Sequence, residues 1–397
     1  MNESTFTPGG GQPGGQGPAG LQAVGSVAVR TFAARQSGYR GISSQSPQQL
    51  PTQTAHQSMD GHHVNAMAGD RSGDTHSHFA DYDELSPEGH FYDPDAEYEP
   101  DPEYAATLAP DAARQRRERI GPTGRPLPYF PIPGPLTDHG PAKIIAMCNQ
   151  KGGVGKTTST INLGAALAEY GRRVLLVDFD PQGALSVGLG VNPMELDLTV
   201  YNLLMERGMS ADEVLLKTAV PNMDLLPSNI DLSAAEVQLV SEVARESTLQ
   251  RALKPLMDDY DYIVIDCQPS LGLLTVNALT AAHKVIVPLE CEFFALRGVA
   301  LLTETIEKVQ ERLNPELELD GILATMYDSR TVHSREVLAR VVEAFDDHVY
   351  HTVIGRTVRF PETTVAGEPI TTYASNSVGA AAYRQLAREV LARCHAE

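Results

Sequence analysis

The sequence predicts an α/β protein, with a doubly wound, mostly parallel sheet over residues 141–397 and a long disordered N-terminal extension over 1–140. Three observations carry this expectation. Short unbroken apolar runs, such as Ile144-Ile145-Ala146-Met147 and Tyr262-Ile263-Val264-Ile265, recur after Pro141 and alternate with amphipathic stretches of helical length. Strands buried on both faces read in this way, and regular alternation of strand and helix makes them parallel neighbours in one sheet. Several runs end in a carboxylate or a glycine-rich turn, and the carboxyl ends of such strands are where ligands collect. The first third of the chain lacks this pattern altogether. Residues 9–18 are almost entirely Gly, Gln and Pro, and Ser43–His78 is rich in Ser, Gln and His. Such segments hold too little apolar surface to offset the entropy of ordering them.

The extension changes character along its length. Asp81–Asp111 is acidic, with Tyr92, Tyr98 and Tyr104 among the carboxylates and no Lys or Arg; Arg114–Arg119 is a basic knot; a proline-rich linker, Pro122–Pro141, follows. The acidic stretch stays open between an interaction tail and a solubilising one. His62-His63 and His76-Ser77-His78 lack further ligands at fixed spacing, so they read as solvated tail rather than metal site. The formal charge is −20. Residues 1–140 hold 17 acidic and 9 basic residues and the remainder 34 and 22, which excludes a generally basic nucleic-acid-coating protein and leaves room for a local basic patch only. Cys148, Cys267, Cys291 and Cys394 are far apart and read as reduced thiols. No signal-peptide pattern follows Met1 and no apolar run reaches the ~20 residues of a membrane span, so a soluble cytoplasmic protein is expected.

In chain order, a strand at Lys143–Cys148 is followed by a helix at Ser159–Tyr170, which Gly171 closes as a C-terminal cap. A strand at Val174–Val177 delivers Asp178 and Asp180 at its carboxyl end. Ser210-x-x-Glu213 and Ser233-x-x-Glu236 read as capping boxes that open helices on either side of a strand at Met223–Leu226. Strands at Tyr262–Asp266, Val285–Val287 and Gly321–Met326 follow, with a helix from Ala295 to Leu313 that Asn314-Pro315 ends. A helix at Ser334–Phe345, a strand at Val349–Ile354 and a last helix at Gly379–Ala392 complete the pattern. That last helix carries Tyr383, Leu386, Ala387, Val390 and Leu391 on one face, which suits core packing, with a basic amphipathic membrane anchor as the alternative.

Between the first strand and first helix stands Gln150-Lys151-Gly152-Gly153-Val154-Gly155-Lys156-Thr157-Thr158. A glycine-rich strand-to-helix turn aims backbone N–H groups at one point and adds the positive end of a helix dipole, which holds a polyphosphate. The fold expected is therefore of the P-loop NTPase type. Residues 151–158 (Lys151, Gly152, Gly153, Val154, Gly155, Lys156, Thr157, Thr158) become candidate ATP contacts, with Lys156 on the β- and γ-phosphates and Thr157 on Mg²⁺. The usual motif would have glycine at Gln150; here a second lysine, Lys151, precedes the glycine pair instead. Asp266, ending a buried strand, fits a carboxylate that holds Mg²⁺ directly or through water.

With Asp178-Phe179-Asp180-Pro181-Gln182-Gly183, the block Tyr262–Gly272, and the late blocks Met326–Thr331 and Val353–Arg359, this motif resembles the ParA/MinD class of P-loop ATPases, and within it the ParA/Soj partitioning proteins, over roughly residues 142–393. The resemblance implies that Lys151 reaches across a sandwich dimer to the partner's phosphates, that Asp180 orients the attacking water, and that Arg330 and Arg359 contact DNA phosphates without sequence preference. Solvated or salt-bridged arginines are the alternative for the last pair, and Asp178 is open to a structural role. The sequence departs from the family at Gln268, where proline is usual, at Thr357, where asparagine is usual, and at Pro361, where serine is usual. The implied function is slow ATP hydrolysis in chromosome or plasmid segregation: an ATP-dependent homodimer, nucleoid-associated, released from DNA by a ParB-like activator. Two rivals are a MinD-like membrane-cycling ATPase and a positioning scaffold that works through its N-terminal tail.

Overall fold

A computed structural model describes residues 119–292 and 295–395. Expectations for the acidic tyrosine stretch, the histidine pairs and most of the basic knot lie outside the described residues. Seven strands form one sheet in the order β3-β4-β2-β5-β1-β6-β7, with β1 Lys143–Met147, β2 Val174–Phe179, β3 Leu216–Lys217, β4 Met223–Leu226, β5 Tyr262–Cys267, β6 Lys284–Glu290 and β7 Glu318–Thr325. All neighbours are parallel except the two-residue β3, which runs antiparallel to β4. The expected doubly wound, mostly parallel sheet is present.

The period of two along each strand divides the core into two layers. Ile144, Leu175, Ile263 and Val285 face one side; Ile145, Leu176, Val264 and Ile286 face the other. Helices α1 (Lys156–Glu169) and α6 (Val378–His395) cover the second face, where Leu163, Leu167, Tyr383, Leu386 and Val390 are buried together. Helices α3 (Leu273–Ala281), α4 (Ala295–Arg312) and α5 (Val332–Phe345) pack on the first, along with α2 (Leu232–Gln238), which follows β4. The apolar stripe of α6 is therefore used on the core, as the packing reading expected. Gly171 has φ +77 and closes α1, with Arg172 N–H bonded back to Leu167 O. The Ser210–Glu213 capping box forms. All four cysteines are free thiols, three of them buried.

Two expectations are corrected. Ser233 does not cap a helix: α2 starts at Leu232 after Asp231, and Glu236 instead accepts a hydrogen bond from Gln268 Nε2 at 2.8 Å. Tertiary contact has taken the carboxylate that a local box would have used. Val349–Ile354 is not a strand either. It runs beside β7 with bridges at Ile322–Val349 and Tyr327–Gly355 alone: Tyr350 and Ile354 N–H donate to Ile322 O (3.0 Å) and Ala324 O (2.8 Å), but Thr352 N–H, the ladder donor between them, goes to the buried Glu389 of α6 (2.9 Å), which also accepts His351 N–H (2.8 Å).

The stretch 119–141, which the sequence reading leaves within the extension and its linker, packs as a strap. Arg125 donates to the carbonyls of Asp346 and Val349, Phe130 meets the His351 ring edge-on, Gly134 O accepts from Arg172, and Asp261 takes His139 Nδ1 (2.8 Å) and Gly140 N–H (3.0 Å). Those anchors on Arg172 and Asp261 sit where β2 and β5 begin, leaving the carboxyl ends of the strands open.

Candidate nucleotide site

β1 ends at Met147 and α1 begins at Lys156, so residues 148–155 form the turn between them. Gly153 (φ +76) and Gly155 (φ +84) occupy left-handed backbone that side chains resist. The turn is pinned on both flanks. Asn149 donates to Pro288 O (2.7 Å) on β6 and accepts Lys151 N–H (2.9 Å), while the Thr325 hydroxyl of β7 donates to Val154 O (2.8 Å). Lys156 is buried and its Nζ lies 3.1 Å from Lys151 O, folded back over the loop; Thr158 O accepts Asn162 Nδ2. Gly152 is exposed beside Pro269, whose Cβ lies 3.9 Å from where a Gly152 Cβ would stand.

Thr157 Oγ1 donates to Asp266 Oδ2 at 2.6 Å, which brings the two candidate metal residues together. Asp178 and Asp266 face each other in register on β2 and β5, both fully buried, and their hydrogen bonding differs sharply. Asp178 accepts the N–H (2.8 Å) and hydroxyl (2.7 Å) of Ser186 and the N–H of Asp180 (3.3 Å), so its oxygens are satisfied by the protein. Asp266 has Thr157 on one oxygen, and its Oδ1 is buried without a partner. Burial pushes the Asp266 carboxyl up to about 8, with the neighbouring Asp178 charge adding to it; burial lifts Asp178 to about 6 against the pull of its Ser186 bonds. A buried carboxylate with one free oxygen beside a threonine hydroxyl fits a hard divalent cation, which takes oxygen ligands and would favour the charged form. Asp180 is half-buried at the end of β2, its carboxylate turned by accepting Gln182 N–H at 3.0 Å.

Lys151 points elsewhere. Its Nζ is 3.0 Å from Glu290 Oε2 and 2.6 Å from Glu292 Oε2, at the carboxyl end of β6. Burial alone would lower its pKa, but the bonds to Glu292 and Glu290 outweigh that and hold the ammonium above its ordinary range. Arg330 and Arg359 are exposed and each is matched locally: Arg330 makes a two-pronged pair with Asp328 at 3.0 Å, and Arg359 meets Glu362 at 3.0 Å. The structure does not bring them to the nucleotide site.

Asn149, Thr325, Ser186, Glu290 and Glu292 escaped the sequence reading. A legible signal existed only for the last two, since a carboxylate at a strand's carboxyl end is the feature that singled out Asp180 and Asp266. The others act through contacts across the sheet that spacing does not reveal.

A glycine-rich loop from a central strand to a buried helix, a lysine folded over it, and a threonine–aspartate pair beneath it define a P-loop nucleoside-triphosphatase. Comparison with known proteins agrees. A family model described as an AAA domain matches residues 142–319. An uncharacterised protein of Mycobacterium tuberculosis (strain H37Rv) is 69% identical over 274 residues, 69% of this chain and 86% of that one. The sporulation initiation inhibitor protein Soj of Bacillus subtilis (strain 168) is 48% identical over 250 residues, covering 63% of this chain and 98% of Soj. A solved structure described as cobyrinic acid a,c-diamide synthase from Mycobacterium smegmatis, with bound ATP analogue and magnesium, is 46% identical with a TM-score of 0.57, over 64% of this chain and 96% of that chain. The chain belongs to the ParA/Soj family of partitioning P-loop ATPases.

Proposed function

We propose that this protein is an ATP-driven segregation switch, in which Mg·ATP assembles a homodimer, the dimer holds DNA without sequence preference, and hydrolysis stimulated by a ParB-like partner releases it. The observation that carries the nucleotide part is the Thr157–Asp266 pair with its unpartnered buried oxygen under a glycine loop. Residues 151–158 cradle the phosphates, Lys156 neutralises the β- and γ-phosphates, and Thr157 and Asp266 hold the cation. Bound magnesium supplies charge neutralisation at the transferring phosphoryl group. Asp180 orients the attacking water, and Lys151 acts on the partner subunit's nucleotide. Positioning and charge neutralisation account for most of the catalysis of phosphoryl transfer, so this set suffices.

DNA contact is assigned to Arg330 and Arg359. Both are exposed, and exposed ion pairs of this kind contribute little, so a phosphate can displace Asp328 or Glu362 at small cost. The ATPase chemistry is assigned to residues 141–397, on which the strap 119–141 packs. The apolar stripe of α6 is occupied by the core, which favours the nucleoid-associated reading over a membrane-cycling one; among the described residues no helix is long and apolar enough to cross a membrane.

The test is binding to non-specific duplex DNA at fixed moderate salt with ATP, with ADP and without nucleotide, beside an Arg330→Ala/Arg359→Ala double variant. Binding with ATP alone, lost in the variant and weakened by salt, is expected. Equal binding in all three states, or none, refutes the DNA part.

A further inference from the structure

Glu290 is shared by two cations from different parts of the molecule. Its Oε2 takes Lys151 Nζ at 3.0 Å and its Oε1 takes Arg356 NH2 at 3.3 Å. The Glu290 side chain is 14% exposed, whereas those of Lys151 and Arg356 are 44% and 65% exposed. The carboxylate is thus a fixed point at the end of β6, and the cations are the movable parts. Lys151 comes from the nucleotide loop. Arg356 comes from the segment that leads into the helix starting at Arg359. That segment is tied at its start, where Ile354 N–H donates to Ala324 O of β7 (2.8 Å), Tyr327 N–H donates to Ile354 O (3.0 Å) and Arg356 N–H donates to Tyr327 O (3.0 Å); past Arg356 its bond is internal, from Arg359 N–H to Thr357 Oγ1 (3.2 Å). Val358, between the two arginines, is 75% exposed and adds no packing.

Two like charges held on one carboxylate repel each other, so removing either strengthens the hold on the other. Lys151 has a second anchor in Glu292; Arg356 has Glu290 alone among its ion pairs in the described residues. We propose that Glu290 is a positioning residue that relays the state of the nucleotide loop to residues 354–359: when Lys151 leaves for a phosphate, Glu290 grips Arg356 more firmly and orders the backbone that presents Arg359. In this relay Arg356 is an anchor, and Arg359 is left free to face outward. The inference rests on the proposed function for its meaning, since that reading gives Lys151 a phosphate to move to, but its physical core concerns three side chains and can be tested without nucleotide.

The experiment is amide hydrogen exchange of residues 354–359 in the full chain. Lys151→Ala reproduces the departure of the ammonium, so exchange at Arg356 and Arg359 is expected to slow by about 3- to 10-fold without any nucleotide, as the loss of one like charge at this range implies. Glu290→Gln in the Lys151→Ala background should abolish that slowing, and Arg356→Gln should abolish it equally. Wild type given a non-hydrolysable ATP analogue and Mg²⁺ should show the same slowing, and Glu290→Gln should not, while binding a fluorescent ATP analogue as wild type does. Unchanged exchange in Lys151→Ala, or slowing that survives Glu290→Gln, overturns the relay. Failure of wild type to bind the nucleotide would instead strike the proposed function and leave the Lys151→Ala comparison standing.

Discussion

Asp178 and Asp266 are the same residue type at the same level of adjacent strands, and their surroundings give them different work. Ser186 and the Asp180 amide satisfy Asp178, which fixes the turn after β2 in place. Asp266 keeps a buried oxygen with no partner, a cost that the proposed cation would offset. Replacing it by asparagine removes the charge while keeping the shape. Asp266→Asn is therefore expected to stabilise the nucleotide-free protein by about 1 kcal/mol or more and to abolish the extra stability that Mg·ATP confers. Thermal melts with and without Mg·ATP check both halves; a variant that melts lower than wild type without nucleotide would show that the carboxylate is structural, like Asp178.

The elements are held to one another by a few side chains that intercept backbone groups. Glu389 of α6 does this for residues 351–352, taking two N–H groups and the Thr352 hydroxyl at 2.8 Å. Glu389→Ala leaves both amides buried and unpaired, so a loss of about 3 kcal/mol in a denaturant titration is expected, with Glu389→Gln milder; a loss below about 1 kcal/mol would contradict the role. His283 does the same for β1 and β6. Its Nδ1 accepts Ile144 N–H at 2.9 Å, its own N–H donates to Ile144 O, and its carbonyl accepts Glu318 N–H. Burial, with the Lys143 charge beside it, holds its pKa below the ordinary 6.5. The unfolded chain therefore takes up a proton first as pH falls, and the stability His283 contributes above pH 6.5 declines as pH drops through its folded-state value. His283→Asn keeps an acceptor without titrating. Its stability should vary less than wild type between pH 7 and pH 5, and parallel profiles would remove the assignment.

At the scale of the molecule, the strap 119–141 closes over the starts of β2 and β5 through Arg172 and Asp261, and reaches the carbonyls of Asp346 and Val349 through Arg125. A chain beginning at residue 142 loses these contacts and leaves Asp261 without His139. Compared with a chain beginning at residue 119, it should melt roughly 5–10 °C lower while binding nucleotide with similar affinity. Coincident melts would mean that the strap lies on the domain without stabilising it. Nucleotide binding survives in this expectation because the strap and the glycine loop sit at opposite ends of the strands.

Much of this molecule is determined locally. Unbroken apolar runs such as Ile263–Ile265 can be satisfied only in a sheet covered on both faces, and Gly153, Gly155, Lys156 and Thr157 carry their chemistry in short-range geometry, so the sheet, α1 and the phosphate loop were legible in order. Gly171 was legible as a cap because a helix end is a local event. Ser233 and Val349–Ile354 depart from the expectation because distant contacts replaced the expected local partners: Glu236 bonds to Gln268, and Glu389 takes the amides of His351 and Thr352. For the same reason sequence could nominate Lys151 and Asp266 but not their neighbours. Only the tertiary fold decides that Lys151 meets Glu290 and Glu292, and that Asp266 rather than Asp178 keeps an oxygen free, since both outcomes depend on which strand ends lie side by side.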